Sequence, residues 1–167
     1  MKLLESVMGV SLDYRSAGSL DTQVRGTIVR ESEQLRETHD WWCEKIWFFD
    51  NHLLFEEENM LEGSTKLFYP GGYSDVPGSV VDVDGDEDDF MARRDAAFII
   101  EQLLIWSKRF SITWLIEMAD VEFGSISNGK LSRELVSQFQ KQVGWNIQAP
   151  VDEALAEKIS RKYASRK

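Results

Sequence analysis

The sequence predicts an α+β domain in which two long helices pack against one antiparallel or mixed sheet, with a further helix at the C-terminal end. Three observations carry this expectation. Short stretches alternate between apolar and polar residues, as strands with one buried face do, and the clearest run from Ile112 to Met118 and from Val121 to Ile126. A longer stretch, 88–110, places apolar residues at helical spacing. The chain itself has 167 residues, of which 43% are hydrophobic and 29% charged, the size and balance of one globular domain spanning 1–167.

The elements follow in order. Residues 7–14 are partly β-branched and partly alternating, and they stop at the turn-like Arg15-Ser16-Ala17-Gly18, so they read as a first strand. Asp21 stands where an N-cap belongs, and Val24, Ile28 and Leu35 share one side of a helix that runs to about His39. Aromatic and apolar residues then crowd 41–49 (WWCEKIWFF), a composition suited to a strand packed on both faces. A helix continuing through that segment is the alternative. Glu62-Gly63-Ser64 interrupts the pattern before a short strand at 66–69.

Residues 70–89 form a long loop, punctuated by Pro70-Gly71-Gly72 and Pro77-Gly78 and closed by the acidic run Asp82 to Asp89. After it, Phe90, Ala97, Ile100, Leu103, Leu104, Ser107 and Phe110 cover a broad arc of a central helix, with Arg94, Glu101 and Lys108 on the opposite, solvent side. The two alternating runs at 112–126 make a hairpin. Asn128-Gly129 supplies the next turn, Ser132 caps a helix bearing Leu135, Val136, Phe139 and Val143, and Gly144 ends it. Pro150 opens a last helix with Val151, Leu155 and Ile159 in line, and 164–167 is a frayed basic tail. The order is therefore β-α-β-β-α-β-β-α-α. Its first six elements resemble a ferredoxin-like split βαβ core, an analogy of architecture that carries no function.

Charge narrows the function classes. Nineteen Lys and Arg against 29 Asp and Glu leave a net charge of −10, which opposes contact with phosphate backbones and anionic lipid. Neither nucleic acid nor a membrane is expected as a partner, and a basic protein is. No apolar run reaches the ~18 residues of a membrane span, and Glu5 comes too early for a signal-peptide core, so the expected compartment is the cytoplasm.

The acidic run offers the sharpest candidate site. Asp82, Asp84, Asp86 and Asp88 fall at the first, third, fifth and seventh places of a calcium loop, so Ca²⁺ is the cofactor to consider. The loop departs from an EF-hand, because Glu87 replaces the sixth-position glycine and Arg93 the twelfth-position glutamate. The simpler expectation is that these acids cap the central helix and favour its dipole. His39, Cys43 and His52 leave a zinc set short of four ligands, and His39 is expected in the solvated last turn of its helix. No phosphate loop, GxGxxG or GxSxG occurs.

Trp41 and Trp42, with the Glu56-Glu57-Glu58 run, are the candidate partner-binding residues, since large rigid rings and surface carboxylates concentrate binding energy and steering. The leading reading is a non-enzymatic protein-binding domain. Its most concrete form is a small bacterial immunity or inhibitor protein that occludes the basic cleft of its partner. The alternatives are a metal-responsive protein using 82–88 and an enzyme with carboxylates that no motif marks.

Overall fold

The computed structural model describes residues 10–42, 46–54, 57–67 and 85–164. Among these the elements are β1 (Val10–Ser16), α1 (Thr22–Thr38), β2 (Ile46–Leu54), β3 (Glu57–Leu67), α2 (Gly85–Arg109), β4 (Thr113–Met118), β5 (Val121–Ser127), β6 (Lys130–Leu131), α3 (Arg133–Val143) and α4 (Glu153–Ala164). The strands form one sheet in the order β2-β3-β1-β4-β5-β6, and each neighbouring pair is antiparallel. The first four stand as β2-β3-β1-β4, the arrangement of a split βαβ core, and the β5-β6 hairpin extends it at the β4 edge. The α+β expectation holds, and its antiparallel alternative is the one adopted.

Alternation decides which face is buried. Leu12, Tyr14 and Ser16 of β1 pair with Met118, Ile116 and Trp114 of β4, and all six are buried. Leu61 and Thr65 of β3 and Ile126 of β5 continue this face. Ile28 of α1, Ala96, Ile99, Leu103 and Trp106 of α2, and Leu135 and Phe139 of α3 close over it in the same core. Both core tryptophans, Trp106 and Trp114, are fully buried with ring centroids 6.4 Å apart. Burying such rings supplies several kcal/mol of the stabilisation, of order 25 cal/mol per Å². Trp106 also donates Nε1–H to Glu31, which is held by both of its oxygens to Arg109.

Local signals behave as their chemistry requires. Asp21 accepts from the Gln23 and Val24 amides, and Ser132 accepts from Leu135. Ala119 and Asp120, then Asn128 and Gly129, lie in the left-handed region, which matches two-residue hairpin loops to the twist of their strands. Acids 86–89 stand in the first turns of α2, where the helix dipole favours them.

Several boundaries differ from expectation. β1 includes Arg15 and Ser16, because the Ser16 hydroxyl accepts from the Leu61 amide and donates to the Gly18 carbonyl inside the fold. Of the expected 41–49 strand, 46–49 belong to β2, which runs on to Leu54, Trp41 and Trp42 are not in a strand, and 43–45 lie outside the described residues. β3 begins at Glu57 rather than near 66, and Glu62-Gly63-Ser64 lies within it, paired with Arg15, Tyr14 and Asp13. Polar residues there occupy the face away from the helices. The 70–89 loop ends at 85, where α2 starts, and 70–84 and 165–167 lie outside the described residues. In α4 the buried positions are Ala156 and Ile159, which meet Met91, while Leu155 is 40% exposed. Packing against α2 turned that helix by one position from the expected stripe.

Candidate functional site

Helices α1, α2 and α3 close over one face of the sheet and α4 packs on α2, while Asp13, Arg15, Glu62 and Glu117 alternate onto the other face. Asp13 of β1 stands directly opposite Glu117 of β4, and Glu117 stands directly opposite Glu122 of β5. Adjacent strands lie roughly 4.8 Å apart, so three carboxylates form one row across three strands. Like charges directly opposite are destabilising, and here they occur twice in succession. Glu62 of β3 and Asp120 in the β4–β5 turn add to the negative potential at Asp13. Arg15 is a cation within this patch, its guanidinium 3.5 Å from Glu117 and both side chains about a third exposed. Glu122 and Asp120 are exposed, and Asp13 and Glu62 half-buried.

The consequence appears at Asp13. Burial, and then Glu117, Asp120 and Glu62, push its carboxyl above the ordinary 3.8, while a hydrogen bond from Ser64 Oγ at 2.8 Å opposes the rise. A carboxyl with a raised value in the folded state binds its proton more tightly there than in the unfolded chain. Its charge therefore costs stability above the raised value, and that cost is relieved as pH falls through it toward 3.8. Asp13→Asn keeps an acceptor for Ser64 and removes the charge. Thermal unfolding is expected to give a higher midpoint than the wild type at pH 7, with the advantage gone at about pH 3. A lower midpoint at pH 7 would mean that the charged hydrogen bond to Ser64 outweighs the repulsion.

A second polar constellation lies inside the molecule, where the end of α1 meets α2. Asp95 is fully buried and accepts from the Trp42 amide at 2.9 Å and from Arg94 Nη2 at 2.9 Å. His39, the C-cap of α1, places Nε2 3.7 Å from Asp95 and stacks on Phe98 with centroids 4.0 Å apart. Trp41 meets both rings edge-on and donates to the Arg36 carbonyl. Arg94 also donates to the Asp40 carbonyl. Trp42 donates Nε1–H to Asp88 at 2.6 Å and meets Tyr163 of α4 edge-on. Burial raises the Asp88 carboxyl, and the Trp42 hydrogen bond lowers it. This junction ties α1, the 40–42 turn, α2 and α4 together. A separation of 3.7 Å exceeds hydrogen-bond reach, so His39 and Asp95 do not form an aligned acid–base pair.

These positions revise several sequence expectations. His39 is packed rather than solvated, its side chain 18% exposed. Arg94 is turned to Asp95, not to solvent with Glu101 and Lys108, and its side chain is 11% exposed. Trp41 and Trp42 are half-buried members of the junction, so little of either ring is presented outward. Asp88 is buried against Trp42 within α2. Asp86 lies in the first turn of α2, its side chain outside the described set, and Asp82 and Asp84 lie outside the described residues. Glu57 and Glu58 open β3 with their side chains undescribed, and Glu56 and Cys43 lie outside. Among the described residues no group of three or more His, Cys, Asp and Glu is arranged to hold a metal ion. No described helix is long and apolar enough to cross a membrane.

Sequence reasoning missed the carboxylate row and Asp95. The row depends on register between strands distant in sequence. Asp95 had a local sign, since Arg93-Arg94-Asp95 interrupts the apolar arc of α2 one heptad after Asp88. Beyond its own residues, the chain offers no guide: no family model, curated protein or solved structure matches it.

Proposed function

We propose that the protein is a non-enzymatic binding domain that presents the sheet face bearing Asp13, Glu117 and Glu122, on which no described helix packs, to a Lys- or Arg-rich protein surface. The observation that carries this reading is the row Asp13, Glu117 and Glu122, in which like charges stand opposite one another across adjacent strands at a cost to folding. Cations from a partner would relieve that repulsion, so binding and stability gain together. The net charge of −10 adds long-range steering, which speeds encounter with a basic surface and weakens with salt. A protein inhibitor or immunity protein that blocks a basic cleft by steric occlusion is the most concrete form of this reading.

The test uses octalysine as a probe, with binding followed by amide chemical shifts. The largest shifts are expected at the row and its neighbours, with affinity falling as ionic strength rises toward physiological values, where the Debye length is about 8 Å. The triple variant Asp13→Asn, Glu117→Gln, Glu122→Gln is expected to weaken binding about tenfold relative to a control triple, Glu101→Gln, Glu134→Gln, Glu153→Gln, of equal charge. Equal losses in the two triples, or shifts centred away from this face, would overturn the reading.

A further inference from the structure

We propose that the groove on the outward side of α3 is a docking site for an extended, acidic peptide segment of another protein. The groove encloses about 630 Å³ and is open to solvent, within the range of sites that hold several side chains of a ligand. Leu131 and Val136 give it an apolar lining, Gln140 and Gln148 supply amides that can both donate and accept, and Arg133 and Lys141 supply charge. No carboxylate lines it.

That charge is out of keeping with the rest of the molecule. In a chain of net charge −10, Arg133 and Lys141 are both exposed, neither is in an ion pair among the described residues, and they share the groove with no carboxylate. The helix that carries them is fixed. Leu135, Phe139 and Val143 bury its other side, and Ser132 ties its start to the β5 backbone through the Ser125 amide. The helix therefore fixes the backbone positions from which Arg133 and Lys141 line the groove.

Their spacing sets the ligand. Eight residues of α-helix rise ~12 Å, and an extended chain covers that distance in about four residues. Side chains four apart on an extended chain point the same way, so two carboxylates at that interval can meet both cations at once. Gln140 and Gln148 also line the groove, and their amides can pair with a ligand's main chain. The groove is lined by β6, α3 and the 146–148 segment and includes none of Asp13, Glu117 and Glu122, so it is distinct from the site proposed for the basic partner.

The experiment is fluorescence anisotropy with a labelled peptide of about ten residues carrying two glutamates four positions apart in a Thr/Val background, beside its glutamine counterpart. The glutamate peptide is expected to bind at least about tenfold more tightly than the glutamine one, and Arg133→Glu/Lys141→Glu to abolish the difference. Both side chains are exposed, and thermal unfolding checks that the variant folds; Arg133→Gln/Lys141→Gln serves as the milder form and is expected to lose most of the difference. The Asp13→Asn, Glu117→Gln, Glu122→Gln variant is expected to retain peptide binding, which separates this outcome from that of the acidic face. Equal binding of the two peptides, or binding that survives both groove variants, would overturn the proposal. Self-association of the protein that the groove variants abolish, without peptide binding, would replace the peptide by a second copy of the chain and likewise overturn it.

Discussion

Gly124→Ala is expected to destabilise the protein by about 3 kcal/mol, combining overpacking with backbone strain. Gly124 lies in β5 at φ 145, a conformation that side chains rarely adopt, and α3 crosses directly over it. A Cβ there would stand 2.6 Å from Ser132 Oγ, 2.7 Å from the Leu135 amide nitrogen and 2.8 Å from Leu135 Cβ. These atoms cannot swing aside. Ser132 Oγ is the cap of α3 and is shared between the Ser125 and Leu135 amides, so relief requires the helix to lift. Lifting it would open the edge-on contact of Phe123 with Phe139, whose centroids are 5.3 Å apart. For a domain of this length the loss corresponds to a fall of about 10 °C in unfolding midpoint. A loss below about 1 kcal/mol in denaturant titration would mean that α3 is held too loosely to resist a methyl group.

Asp95→Ala is expected to cost about 3–4 kcal/mol, because removing one partner of a buried ion pair leaves the other charge uncompensated. Asp95 is completely buried, and its two oxygens hold Arg94 and the Trp42 amide on opposite sides. Without it the guanidinium of Arg94 has lost its carboxylate while remaining 11% exposed, and the 40–42 turn loses its anchor on α2. Asp95→Asn keeps one acceptor and is expected to recover part of the loss. Arg94→Met at the same time should recover more, since replacing a whole buried pair by apolar groups is far less costly than breaking it. Denaturant unfolding of the three variants checks the order. An Asp95→Ala loss below about 1 kcal/mol would show that the junction is not a stabilising lock.

Much of the fold was legible because its signals are local. The Asp21 and Ser132 caps, the Asn128-Gly129 turn and the hairpin at 113–127 depend on residues within a few positions of one another, and they stand where the sequence places them. The start of β3 was not legible, because Glu62-Gly63-Ser64 has turn composition and is kept in a strand by pairing with β1. The stripe of α4 was misplaced by one position for a similar reason. Val151, Leu155 and Ile159 share a spacing, but Met91 of α2 selects Ala156 and Ile159 as the buried pair.

The candidate sites divide along the same line. Charge, the lack of nucleotide and nucleophile motifs, and the expectation of a binding domain come from composition and short patterns, which need no coordinates. The tryptophans singled out as contact residues are half-buried where α1 meets α2, and Trp42 donates its indole N–H to Asp88, since indole nitrogens seek acceptors when they are buried. Twenty-nine acids could not be ranked by sequence. Only the register of β1, β4 and β5 aligns Asp13, Glu117 and Glu122, because cross-strand neighbours are set by pairing and not by separation along the chain.

The α+β class, the order of every element but the two-residue β6, the helix caps and hairpin turns, and the negative charge were all readable in the sequence, because they follow from local propensity and summed composition. Only tertiary structure decided which face of the sheet α1, α2 and α3 cover, which carboxylates meet, and that Asp95 is buried with Arg94. Those outcomes rest on contacts between distant segments, where strand register and helix packing choose among faces that the local pattern leaves equivalent.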